Sequence, residues 1–206
     1  MEGRTLLGPP GVDGVTAYAA QIHQAIRARR SAGKMRAEAP PRAAIERILE
    51  AATWAPFHKC QEPWRFVVIC GEGRLRLGEI AAQTVDVSTF PQAIHERVRA
   101  KERTKFARAP FVIAVIAEGG QSAIDSDENY ASAAAATQNM LLAAHAEGLS
   151  GYWRTGRLAR QPEILAALGV APGERLAAFV YLGYAATEPV AAARAPLSQK
   201  VRWLDA

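Results

Sequence analysis

A long segment without helix breakers constrains the fold more than any other feature of the sequence. No Gly or Pro occurs in residues 127–147, which allows a helix of roughly 31 Å. Asp125 and Glu128 form a capping-box pattern before it, and Gly148 and Leu149 form a left-handed cap pattern after it. The middle is rich in alanine and apolar on more than one side. We therefore predict a helix that is buried on most sides and that lets another helix approach closely.

Length and composition indicate a single domain. The chain has 206 residues, of which 50% are hydrophobic, enough to bury one core. It contains no apolar run of about 18 residues and no signal-peptide pattern, which predicts no membrane span. Cys60 and Cys70 have neither disulfide-framework nor zinc-ligand spacing. These features predict a cytoplasmic protein.

The basic charge of the chain needs a different explanation from nucleic-acid binding. The net charge is +5 and the pI is about 9.5, but the basic residues are spread and lack an aromatic-plus-basic motif. We expect instead a basic pocket for a phosphorylated ligand and no nucleic-acid partner. The histidines are also scattered, which argues against a metal site; they are His23, His58, His95 and His145.

Local patterns predict the remaining elements and an α+β fold or mixed-sheet layer fold. Residues 1–14 are rich in Gly and Pro and are expected to form a flexible arm, with a single domain over 15–206. Long helices separate the strands, which disfavours a regular βαβ series. The segment 64–70 is nearly all apolar and is predicted to be buried on both faces. Strands are expected at 64–70, 111–117, 151–154 and 176–183, and helices from Val15, at 40–55, 75–83, 91–107 and 162–168, before an extended tail.

The glycine-rich segment 71–78 invites comparison with a dinucleotide-binding fingerprint. Arg76 stands where the third glycine is required, and Glu72 stands where pyrophosphate would lie. No acidic residue follows at the expected distance at the end of a second strand. We interpret the segment as a turn that begins a helix, with a Rossmann dehydrogenase as the alternative.

Phosphate- and ring-binding residue types occur at the ends of several elements, whereas the common nucleophile, zinc-protease and P-loop motifs are absent. Arginine binds phosphate bidentately, and glycine lets a planar ring approach the backbone. Such a set suits flavin mononucleotide (FMN). Its members are Arg29-Arg30-Ser31, the loop with His58 and Lys59, the turn Trp153-Arg154-Thr155-Gly156, and Arg194 in the tail.

With these motifs in this order, the chain resembles the nitroreductase family of FMN-dependent oxidoreductases, especially its compact bacterial subgroup. Further matching pieces are Ile48 to Pro56, Pro63-Trp64-Arg-Phe, Gln138-Asn139-Met-Leu-Leu-Ala-Ala-His with Gly148, and Tyr181-Leu-Gly183-Tyr. The resemblance implies a nitroreductase-like α+β fold with a central mixed or antiparallel sheet flanked by helices. It also implies an intertwined homodimer with FMN at the subunit interface and a C-terminal segment that reaches the partner.

The resemblance also implies roles for individual residues. Arg29, Arg30 and Ser31 would hold the FMN phosphate and ribityl chain, with Arg194 as a second phosphate ligand. Trp54 and His58 would line the flavin, with Lys59 nearby, while Trp153, Arg154 and Thr155 would border the ring. The Gly156 backbone N–H would point at flavin N5, so no side chain is assigned as catalytic.

The implied reaction is a ping-pong transfer of hydride from NAD(P)H through flavin N5 to a nitroaromatic, quinone or related acceptor. Arg154 or Lys59 would stabilise the reduced flavin electrostatically. Glu62, Cys60 and Thr155 depart from the family pattern and bear on substrate and redox potential. The alternative from another class is a flavin-binding protein that stores FMN or acts as an oxidase or dehydrogenase of an unidentified metabolite.

Overall fold

The sheet that organises the molecule is antiparallel throughout. The computed structural model describes residues 12–58, 62–190 and 193–204. Its strands are β1 (Trp64–Cys70), β2 (Phe111–Ala117), β3 (Ser150–Arg154) and β4 (Arg175–Gly183), in the spatial order β1-β2-β4-β3. Every pairing is antiparallel, which confirms the α+β class. The Rossmann alternative is wrong, because that fold requires parallel βαβ units.

Helices flank the sheet on both faces. They are α1 (Val12–Ala28), α2 (Arg42–Ala52), α3 (Glu72–Gln83), α4 (His95–Arg103), α5 (Ala123–Ala146) and α6 (Pro162–Ala167). Residues alternate along β2, so that Ile113 and Val115 face α2 and α5 while Val112 and Ala114 face α3 and α6. The two faces therefore support two apolar cores. None of the helices in the described residues is long and apolar enough to cross a membrane.

The edge strand β1 differs from the sequence prediction. Its bounds match, but Val68 is 39% exposed and Cys70 is exposed, so the predicted burial on both faces is wrong. Among the described strands β1 has a neighbour on one side only, and the helices cover it incompletely. Arg65 fixes this edge through two hydrogen bonds to Glu174, with Nε–Oε1 and Nη2–Oε2 distances of 3.0 and 2.5 Å.

The long helix α5 begins earlier than predicted. Ser122 is its N-cap, and the Ser122 hydroxyl accepts a hydrogen bond from the Asp125 backbone N–H at 3.1 Å. The predicted Asp125–Glu128 capping box is therefore wrong. The C-terminal prediction is confirmed: Gly148 has a φ of 72°, and the Leu149 N–H donates to Ala144 O at 2.8 Å.

Burial along α5 follows one stripe rather than most of its circumference. The buried residues recur at spacings of three and four: Asn129, Ser132, Ala133, Ala136, Thr137, Met140, Leu141 and Ala144. This stripe packs on the sheet and on α2. The opposite side carries exposed and half-buried residues, among them Ala131, Gln138 and Leu142, so this chain covers that side of α5 incompletely, and the predicted burial on most sides is wrong for the single chain.

Candidate functional site

The segment after α1 is held beside the end of β4. Met35 forms an antiparallel bridge with Ala185, and the Arg36 N–H donates to Tyr184 O at 2.9 Å. Because β4 pairs with β3, these contacts bring the residues that follow Arg29 next to both strands.

A small cavity of about 80 Å³ lies where this segment meets the two strands. Tyr152 and Arg154 are two residues apart in β3, so their side chains lie on the same face of the sheet. Tyr181 of β4 pairs directly opposite Tyr152. The residues that line the cavity are Ala32, Gly33, Met35, Arg108, Tyr152, Arg154 and Tyr181. The fold thus places Ala32, Gly33 and Met35 of the segment after α1 beside the end of β3.

The cavity is electropositive. The Arg154 guanidinium lies 5.2 Å from the centre of the Tyr152 ring and 5.8 Å from that of Tyr181, and it makes no ion pair with any described residue. Burial raises the pKa of Tyr181 to about 12, although the charges of Arg154 and Arg108 act to lower it. The phenol therefore stays neutral near pH 7, and the guanidinium charge is left to attract an anionic group.

Arg29 carries a buried nitrogen that needs an acceptor. Its Nη1 is buried and has no hydrogen-bond partner among the described residues. The neighbouring Arg30 Nη1 donates instead to the carbonyls of Arg27 and Arg29, and so shapes the loop, while Ser31 is exposed. Since an unsatisfied buried donor is unfavourable, Arg29 fits a ligand rich in oxygen, such as a phosphate.

The turn after β3 leaves backbone open to a ligand. Gly156 has a φ of 88°, in the region that favours glycine, and a Cβ placed there would meet nothing within 4 Å. Thr155 is exposed beside it. Trp153 lies on the opposite face of β3 from Arg154 and packs against the core formed with α5. The space beside the Gly156 Cα is therefore open to a ligand.

Other predicted residues lie elsewhere in a single chain. Trp54 is 66% exposed, and Arg194 is exposed, with its Nη1 3.4 Å from Ala193 O. The Nε2 of His58 lies 3.7 Å from Glu128 Oε2. The structure does not bring these three side chains to the cavity of Arg154, and Lys59 lies outside the described residues.

His58 lines a second, acidic depression of about 600 Å³. Four carboxylates surround it, those of Glu62, Glu118, Asp125 and Glu128. Glu62, a departure from the family pattern, therefore contributes to a wider negative surface near His58. The described residues contain no group of three or more His, Cys, Asp or Glu side chains that could hold a metal ion.

Sequence reasoning missed several residues of the small cavity. Tyr152 could have been found, because it lies two residues before Arg154 in a strand and must share its face. Tyr181 lies in a family motif but carried no assigned role. Arg108 follows a surface helix, and nothing in its local sequence indicates that it reaches the cavity.

The fold and the site define an antiparallel α+β protein with a basic cavity and an open glycine turn beside one edge strand. The chain belongs to the nitroreductase family, because that family's model matches residues 26–184. It is 35% identical over 157 residues to the "Putative NAD(P)H nitroreductase YdjA" of Escherichia coli strain K12, covering 75% of this chain and 83% of the relative.

Solved structures agree with this assignment. A nitroreductase-like family protein from Bacillus cereus superposes with a TM-score of 0.79 at 29% identity, covering 90% of this chain and 96% of the other. A second structure, from Desulfovibrio desulfuricans, is described as "a putative nitroreductase in complex with fmn". It gives a TM-score of 0.66 at 29% identity and covers 87% and 94% of the two chains.

Proposed function

We propose that this protein is an FMN-dependent oxidoreductase that takes electrons from NAD(P)H and reduces a nitroaromatic, quinone or related acceptor. Membership of the nitroreductase family supports the reaction class. The FMN complex of the Desulfovibrio desulfuricans structure supports the cofactor, and the name of the Escherichia coli relative supports the electron donor.

The observation that carries the proposal is the buried Arg29 Nη1, which has no partner among the described residues. A phosphate oxygen would satisfy this nitrogen with a charge-assisted hydrogen bond. Arg29 would bind the phosphate, while Arg30 keeps the loop in shape through its bonds to the carbonyls of Arg27 and Arg29. Ser31 would contact the ribityl chain.

The residues at the end of β3 would border the flavin ring. When bound, FMN would supply the redox chemistry, a ping-pong transfer of hydride from NAD(P)H to the acceptor through flavin N5. Arg154 holds positive charge beside two aromatic rings and would favour negative charge on a nearby ligand. Thr155 would border the ring, and the Gly156 N–H would face N5.

We further propose a homodimer with FMN at the subunit interface. Trp54, His58 and Arg194 lie away from the Arg154 cavity in one chain, and a second copy would allow them to complete the site of its partner. The exposed tail residues Leu197 and Trp203 would pack on that copy. A cytoplasmic location and the absence of a nucleic-acid partner stay predictions.

The visible spectrum of the purified protein tests the proposal. We expect a bound-flavin absorption band that bleaches when NADPH or NADH is added without oxygen and returns with a nitroaromatic or quinone. A flavin that stays oxidised would favour the storage or oxidase alternative. A colourless protein that takes up no added FMN would contradict the proposal.

Substitution of Arg154 tests the role of the cavity. Arg154→Ala removes the charge beside the ring and should weaken FMN binding about tenfold, or slow flavin reduction by a similar factor. Arg160→Ala is the matched control, because Arg160 is an exposed arginine of the segment after the turn. If Arg154→Ala and Arg160→Ala both keep the affinity and the reduction rate, the assignment of Arg154 fails.

A further inference from the structure

Glu102, near the end of α4, is a buried carboxylate outside the cofactor site. Its exposed fraction is 7%, and it is the one charged residue among the buried residues that the structure describes. A buried carboxylate is unfavourable unless charged groups are bonded to it. The burial of Glu102 therefore requires cationic partners, and the identity of these partners indicates its role.

Both carboxylate oxygens of Glu102 bind cations. Oε1 lies 2.5 Å from Lys105 Nζ, within the same segment, whereas Oε2 accepts a hydrogen bond from Arg157 Nη2 at 2.7 Å. Arg157 is 55 residues away in the chain, and its Nη1 also donates to Gln161 Oε1 at 2.9 Å. The guanidinium is thus held in one orientation between α4 and the start of α6.

Arg157 directly follows the open turn at Gly156. Gly156 precedes a short 3₁₀ helix, Arg157–Arg160, and its carbonyl accepts a hydrogen bond from the Ala159 N–H at 3.2 Å. Leu158 and Ala159 are buried in the core on this face of the sheet. The turn is therefore anchored by apolar packing after it and by the Glu102–Arg157 ion pair immediately beside it.

A glycine with a φ of 88° and open space around its Cα needs such an anchor, because glycine has more backbone freedom than any other residue. Without it, the N–H of Gly156 would sample several directions. A ligand that accepts a hydrogen bond there would then have to order the turn as it binds, which lowers affinity.

We propose that Glu102 is a positioning residue: through Arg157 it holds the Gly156 turn in the orientation that receives the flavin ring. The inference rests on the proposed function. Glu102 does not touch the ring in this arrangement, because it acts through the guanidinium of Arg157. The contribution of Glu102 is the order of the turn before the cofactor binds, and with it the position of the Gly156 N–H beside the ring.

The test compares Glu102→Gln with Glu147→Gln in the full chain. Glu147 accepts two hydrogen bonds from Arg47, at 2.7 and 2.6 Å, at the far end of α5, so its loss should affect stability without moving the turn. We expect Glu102→Gln to raise the FMN dissociation constant of the apoprotein about tenfold and to shift the redox potential of the bound flavin. Glu147→Gln should leave both at the wild-type values.

Two further measurements distinguish a role of Glu102 in ordering the turn from a role in stability alone. Amide hydrogen exchange of residues 155–160 in the apoprotein should be faster in Glu102→Gln than in Glu147→Gln. Arg157→Gln, at a more exposed position, should reproduce the loss of affinity, and the double variant Glu102→Gln/Arg157→Gln should be no weaker than either single variant.

The outcomes separate this inference from the proposed function. If Glu102→Gln lowers the melting temperature but leaves FMN affinity, redox potential and exchange of the turn unchanged, Glu102 is a structural residue only and the inference is overturned. If the wild-type protein binds no FMN, the proposed function fails, and amide exchange alone then decides whether Glu102 orders the turn. Exchange equal to that of Glu147→Gln would overturn the inference in that case too.

Discussion

At the scale of single residues, two kinds of arginine differ in their partners. Arg47, Arg65 and Arg157 each bind a carboxylate, so their charges are largely neutralised. Arg154 faces aromatic rings, and a nitrogen of Arg29 is buried without a partner among the described residues. Arg154 and Arg29 therefore carry positive charge that no described carboxylate neutralises and that a ligand could use, although the basic residues are spread along the sequence.

Tyr181 provides a pH-dependent test of that cavity. Its pKa is raised from 10.0 to about 12, chiefly by burial. Below pH 10 the phenol is protonated in both the folded and the unfolded chain. Between about 10 and 12 the unfolded chain releases the proton while the folded chain retains it, so the free energy of unfolding falls as the pH rises, by about 2 kcal/mol from this group.

Tyr181→Phe should remove this part of the alkaline loss of stability, as measured by denaturant unfolding from pH 8 upward. Tyr18→Phe, at an exposed tyrosine, should keep it. Ultraviolet difference spectra should show one fewer late-titrating phenol in Tyr181→Phe. A wild-type Tyr181 that ionises near pH 10 would contradict the buried position.

At the scale of elements, the start of α5 gives a second prediction. The Ser122 hydroxyl caps the helix by accepting from the Asp125 N–H, so Ser122→Ala should lower the free energy of unfolding by about 1 kcal/mol. Ser122→Asn keeps a capping oxygen and should change it by only a few tenths of a kcal/mol. Equal losses in the two variants, measured by denaturant unfolding, would show that Ser122 is not the cap.

The same helix shows what local sequence can and cannot predict. Ser122 and Asp125 are both good caps, and only the path of the preceding chain decides between them. A Cβ on Gly120 would lie 2.4 Å from the Asp125 side chain, so the chain turns tightly there and places Ser122 at the first turn. The end of α5 was predicted correctly because Gly148 is the one residue nearby that favours a left-handed cap.

The strands and the site residues show the same difference between features that local sequence predicts and features that depend on distant contacts. The bounds of β1 and β2 were predicted because apolar runs between turn residues are local signals. The exposure of β1 was not predicted, because its place at the edge of the sheet depends on the order of the strands, which the local sequence does not determine. Arg154 was predicted from its motif, whereas Arg108 lines the cavity and Glu102 binds Arg157 through contacts distant in sequence, which no local pattern records.

At the scale of the whole molecule, α1 carries apolar residues that this chain leaves exposed. Tyr18, Ile22 and Ile26 recur every four residues and are 60%, 41% and 50% exposed. Ile22 and Ile26 line a depression of about 350 Å³ together with Leu142 of α5. Contiguous apolar surface of this kind indicates a protein interface, and the proposed homodimer would cover it.

Ile26→Asp should therefore weaken the dimer at least tenfold, because it places a charge in an apolar interface. Since Arg29 follows α1 directly, FMN affinity should fall with it. Gln24→Asp adds the same charge at an exposed polar position of α1 and should leave both properties unchanged. Light scattering across a dilution series gives the oligomeric state, and flavin fluorescence gives the affinity.

A wild-type protein that is monomeric yet retains FMN would contradict the shared site. A dimer that tolerates Ile26→Asp would instead place the interface elsewhere and leave α1 as an exposed apolar helix in the assembled protein.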